Sequence, residues 1–145
     1  MSNQLFDNAR RSFLRGTIIW GSTSGSIAGD TIKAMLIANT ASLAAQVFVA
    51  DFTSVIVARS GAFTTKEDTN GAASADNVTF ASITTGMLPG GATSVGAIVI
   101  YKDTGTDSTS PCIAWIDSAT GLPIVPNGGD IICTWDTGAN KIFKL

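Results

Sequence analysis

The stretch Val95–Asp117 constrains this chain more than any other. Val95-Gly-Ala-Ile-Val-Ile-Tyr101 and Cys112-Ile-Ala-Trp-Ile-Asp117 are apolar, β-branched or aromatic, and between them lie ten residues of turn chemistry, Lys102 to Pro111. That arrangement predicts a β-hairpin with a long loop. Neither run alternates cleanly between apolar and polar residues, so both strands are expected to be covered on both faces. A hairpin of this kind needs a second sheet, or a partner subunit, lying over it.

The rest of the chain reads mostly as more short strands. Asp30–Ile37 alternates, with Ile32, Ala34 and Leu36 on one face and Thr31, Lys33, Met35 and Ile37 on the other. Thr17–Trp20, Val55–Ala58, Thr64–Lys66, Val78–Ile83, Ile131–Trp135 and Ile142–Leu145 are further strand candidates. Asn70-Gly71 is a strong hairpin-turn signal. Gly21–Ser26, Met87–Gly91 and Asp136–Asn140 read as loops or turns, and Gly121–Gly129, with its prolines and glycines, as a fixed connection. Ala41–Ala50 is ambiguous: its alanines favour a short helix capped near Thr40, whereas Val47-Phe48-Val49 favours a strand, and the helix is the expectation taken.

One convincing helix is expected, over residues 3–15. Leu5, Phe6, Ala9, Phe13 and Leu14 are spaced to share a face. Ser2 or Asn3 would cap its start, Asp7 suits the first turns, Arg10, Arg11 and Arg15 suit its negative end, and Gly16 its left-handed stop. Two placements are open: packed over one edge of the sheet, or reaching a neighbouring subunit as an arm. The expected fold is therefore all-β, a single β-sandwich or jelly-roll-like domain over 17–145, preceded by an N-terminal amphipathic helical arm over 1–16.

A chain of 145 residues is long enough to bury a core without metals or disulfide staples. Charged residues make up only 14%, against about 25% in an average soluble domain. With a mean hydropathy of +0.31, this suggests that part of the surface is covered in an assembly. The bland alternative is an uncharged sandwich rich in Ala, Thr, Ser and Gly. Net charge is −2, with three arginines against one aspartate in the first sixteen residues, so the remainder sums to −4. No basic stripe marks a nucleic-acid surface, but the small basic front end suits an acidic protein surface. There is no apolar leader core before Arg10 and no clean membrane-length apolar run, since Ala41–Ala58 is broken by Gln46 and Asp51. Neither a secretory leader nor a membrane partner is expected.

Chemistry is scarce. The chain has no histidine, which removes the commonest general base and transition-metal ligand. Gly21-Ser-Thr-Ser-Gly25 mimics a nucleophile elbow, but its centre is Thr23 and no base is at hand. Asp103 and Asp107 in the hairpin loop lack the dense acidic spacing of a calcium motif. Trp20, Trp115 and Trp135 sit within apolar runs, which favours core packing over a sugar platform. Cys112 and Cys133 read as buried free thiols, although a bond is possible if their strands are neighbours. No enzyme activity, cofactor or metal is expected.

Several phrases taken together carry a resemblance. Gly29-Asp-Thr-Ile-Lys-Ala-Met-Leu-Ile37, Asp76-Asn-Val-Thr-Phe80, Ala97-Ile-Val-Ile-Tyr-Lys-Asp-Thr-Gly105, Ser110-Pro-Cys-Ile-Ala-Trp-Ile-Asp117 and Gly121-Leu-Pro to Gly129-Asp130 resemble a family of small virion proteins of tailed bacteriophages. The resemblance spans about residues 29–145 and differs in Cys112, where a leucine is commoner, and in the more elaborate front end. It implies a structural protein of the virion, assembled in the host cytoplasm. The leading expectation is a capsid decoration, or cement, protein that forms a dimer or trimer and binds the major capsid protein. The alternatives are a tail, neck or baseplate component and, from a different class, a host carbohydrate-binding module. Phe6, Arg10, Arg11, Phe13 and Arg15 are the interface candidates.

Overall fold

A computed structural model describes residues 3–22, 25, 27–43 and 46–145. The chain is an all-β domain with an N-terminal helix. Its strands are β1 (Gln4–Leu5), β2 (Ile32–Ala38), β3 (Ile56–Arg59), β4 (Glu67–Thr69), β5 (Ala72–Ser74), β6 (Val78–Phe80), β7 (Val95–Lys102), β8 (Cys112–Ile116), β9 (Ile131–Cys133) and β10 (Phe143–Lys144), with helix α1 at Asp7–Leu14. They form sheets of five strands (β1-β8-β7-β2-β3), three strands (β10-β5-β4) and two strands (β6-β9), with every pairing antiparallel.

The expected hairpin lies within the largest sheet. β7 pairs with β8 through Ile98↔Ile116, Val99↔Trp115 and Ile100↔Ala114, and with β2 on its other side from Ile32↔Lys102 to Ala38↔Val95. Every residue of β7 from Ala97 to Tyr101 is buried, and so are Cys112 to Trp115, so both faces are covered as the continuous apolar runs require. Gly96 sits where a Cβ would lie 2.7 Å from Asn39 Cα, which explains a glycine inside this strand. The loop is braced by Asp103 and Asp107, which pair with Lys33 at 2.5 Å and Arg59 at 2.6 Å.

Asn70 and Gly71 both have positive φ, 52° and 79°, and join β4 to β5 in the two-residue turn that the sequence signals. The strands either side of that turn differ from expectation; Thr64–Lys66 is not itself a strand, and β4 begins one residue later. Thr17–Trp20 bends at Thr17 and Ile18 and joins no sheet. Asp30 holds it instead: the Ile19 amide donates to Asp30 Oδ2 at 2.7 Å, and the Asp30 amide donates to Ile19 O. The helix expected over 41–50 falls partly on Ala44 and Ala45, outside the described residues. The chain then makes a 3₁₀ turn at Val49–Phe52, with Asp51 accepting the Val47 and Phe48 amides at 2.8 Å.

Helix α1 starts later than expected. Gln4 and Leu5 pair with Trp115 and Ala114 in β8 instead of starting the helix, because joining an open sheet edge satisfies backbone groups that an uncapped first turn leaves bare. Asn3 does not cap it; its side chain bonds Ser118 O and the amides of Asp117 and Ser118. Ser2 lies outside the described residues. The C-terminus agrees with expectation: Gly16 has φ 68°, its amide donates to Phe13 O, and the Thr17 amide donates to Ser12 O, the double bond of a Schellman stop.

Candidate interaction surface

The N-terminal helix and the three-stranded sheet meet through aromatic rings. Phe13 lies 5.7 Å from Phe143 on β10, and Phe143 lies 5.2 Å from Trp20 in an edge-to-face contact. Trp20 continues to Phe63 at 5.9 Å, and Phe63 to Trp135 at 5.7 Å. Both indole N–H groups donate to backbone carbonyls, Trp20 to Ser74 O at 3.0 Å and Trp135 to Asp76 O at 2.9 Å. Trp20 and Trp115 are buried, as the apolar runs around them predict. Trp135 is half-buried, and it also lines the larger cleft beside β9.

Beside this chain of rings lies a groove of about 280 Å³, lined by Phe13, Gly16, Ile19, Ile27, Phe143 and Leu145 among others. Its floor includes a row across the small sheet. Asp68 pairs with Ala73 and Ala73 with Phe143, and directly paired residues point to the same face. Leu14 and Arg15 fall between two lining residues, Phe13 and Gly16, and both are exposed.

The five interface candidates separate on burial. Phe6 is a core residue: it is buried, edge-on to Phe52 at 6.4 Å, and its amide donates to Ile113 O, so its ring has no surface to offer. Phe13 is half-buried at the groove. Arg10, Arg11 and Arg15 are exposed; Arg10 pairs with Asp7 at 2.8 Å, a solvated (i, i+3) bridge of little energetic weight. Arg11 and Arg15 make no ion pair among the described residues. Leu14, expected on the inner face, is 90% exposed. Leu14 stands at i+8 from Phe6, a position that an apolar stripe can include, so the helical period alone does not place it in solvent; the packing of the last turn does.

Other clusters are occupied by their own partners. Asp103 and Asp107 hold Lys33 and Arg59, whose hydrogen bonds keep both carboxyls below the usual range. The Asp30 carboxylate takes Lys102 at 3.0 Å, and Lys66 donates to Asp30 O. Burial pulls the Lys66 ammonium below its ordinary range, against the opposing charge of Asp30. Cys112 and Cys133 are buried free thiols; burial raises both, Cys133 to about 11, so neither is a ready nucleophile. A larger cleft of about 490 Å³ lies between β9 and the end of β8, walled by Ile116, Ile132, Cys133 and Trp135. Among the described residues no group of three or more Cys, Asp or Glu is placed to hold a metal ion. Thr23 lies outside them. No described helix is long and apolar enough to cross a membrane.

The chain matches no protein-family model and no curated protein to which it was compared.

Proposed function

We propose that this protein is a structural component of a tailed-phage virion, and within that class a capsid decoration (cement) protein that binds the outer shell and stabilises it. The observation that carries this reading is where the unexplained features lie. They are on the surface: large apolar side chains left in solvent, and an arginine-bearing helix on which Arg11 and Arg15 pair with nothing among the described residues. The partly exposed ionisable groups around the hairpin loop pair with one another, Lys33 with Asp103, Arg59 with Asp107 and Lys102 with Asp30, as a scaffold requires. The resemblance over residues 29–145 supplies the virion context.

Arg10 and Arg11 would meet acidic groups of the major capsid protein, and burial of exposed apolar side chains such as Met87, Val125 and Ile132 would supply most of the affinity. Each contact is modest. Repetition over many copies on a closed shell makes the sum large through effective concentration. With Trp20 and Trp115 buried, the carbohydrate-binding alternative is left with Trp135, half-buried at the larger cleft.

Quantitative mass spectrometry of purified virions, referenced to the major capsid protein, tests this reading. Hundreds of copies in a simple ratio to the shell subunit are expected. A handful to a few dozen copies would move the protein to the tail or neck, and its absence from particles would overturn the virion reading altogether.

A further inference from the structure

We infer that the groove between helix α1 and β10 is a self-association face, buried against a second copy of this chain. Seven large apolar residues stand exposed among the described residues, and four of them gather here: Leu14 at 90%, Ile19 at 41%, Ile27 at 63% and Leu145 at 59%. Ile19, Ile27 and Leu145 line the groove, and Leu14 stands between two lining residues. Isolated exposed apolar side chains are ordinary; a group of this size around one concavity is not.

Charge identifies the occupant. Arg15, beside the groove, and Asp68, which lines it, are both exposed, and neither makes an ion pair among the described residues. A face meant for an acidic partner needs only the arginine. This one carries both signs, together with a protruding Leu14 and a recess to receive it. It is therefore complementary to itself, as contact between identical surfaces demands. Arg15 of one copy meets Asp68 of the next while Leu14 and Ile27 enter the apolar recess. β10 adds a free sheet edge at the same place, since among the described residues it pairs only with β5.

The test is sedimentation velocity of the purified full chain over a wide concentration range, with thermal unfolding measured alongside. The wild type is expected to self-associate. Leu14→Asp and Ile27→Asp each place a charge at a solvent-exposed position, and each is expected to leave the chain folded but monomeric. Arg15→Asp and Asp68→Arg are each expected to weaken association about tenfold, and the double reversal to restore it. A wild type that stays monomeric overturns the inference. So does an oligomer indifferent to Leu14→Asp and Ile27→Asp, or a double reversal that fails to rescue. Because no particle is present in this experiment, its failure leaves the virion reading standing, and a low copy number in virions leaves this face standing.

Discussion

At the scale of single residues, the polar groups that matter are those that hold one strand to the next. Ser60 is the clearest case. It is buried beyond the end of β3; its Oγ accepts the Ala34 amide at 2.9 Å and donates to Gly61 O at 2.7 Å, and its own amide donates to Ala34 O. Ala34 is fully buried, so no water can replace the lost acceptor. Ser60→Ala is therefore expected to cost about 1–3 kcal/mol, the penalty of an orphaned buried donor, read as a lower urea midpoint with unchanged slope. A serine in the loop after a strand gives no local sign of this role. Its partner lies twenty-six residues away, and only the pairing of β2 with β3 brings them together.

At the scale of elements, turns and helix stops are the most legible parts of the sequence, because their cause is local. Asn70-Gly71 and Gly16 stand where the chain needs positive φ, and both do what their residue types predict. Their environments differ in a way the sequence does not reveal. A Cβ on Gly16 would meet nothing within 4 Å, whereas one on Gly71 would lie 3.2 Å from Leu145 O. Gly16→Ala is thus expected to cost only the conformational penalty, about 1 kcal/mol, and Gly71→Ala distinctly more, as it also pushes on the chain end beside β10. Equal costs in denaturant titration would show that the Leu145 contact yields freely. Strands are less legible than turns. β1 exists only because β8 presents an edge to it, and Thr17–Trp20, with suitable composition, finds Asp30 instead of a strand partner.

At the scale of the whole molecule, hydrogen bonds and ion pairs to four aspartates set the response to pH. Asp51 is lowered by the Phe48 and Val47 amides, Asp103 by the Lys33 hydrogen bond, and Asp107 by the Arg59 hydrogen bond. At Asp76, burial pushes upward, but bonds from Thr64 and Thr65 outweigh it. In each case the folded state prefers the carboxylate more than the unfolded chain does. The stabilisation is full above the unfolded carboxylate range, near pH 4, and is lost as pH falls through the lower folded values. With no histidine to titrate, stability is expected to be flat between about pH 5 and 8 and to fall below about 4. Urea midpoints across that range check this, and a marked slope near neutrality would contradict it. The drop should be modest, since Asp107 and Arg59 remain more than a third exposed and their bridge is screened by solvent.

The sequence by itself determined the β-rich class, the hairpin of β7 and β8, the turn at Asn70-Gly71 and the helix stop at Gly16. These arise from backbone preference and from runs of apolar residues, which act over a few neighbours. Only the tertiary structure decided that Phe6 is core and Leu14 is surface, that Asp103 and Asp107 hold Lys33 and Arg59, and that Ile19, Ile27 and Leu145 gather beside the arginine-bearing helix. Those outcomes depend on which distant strands become neighbours and in what register. Pairing of that kind is chosen by the burial of the whole chain, and no short window of residues contains it.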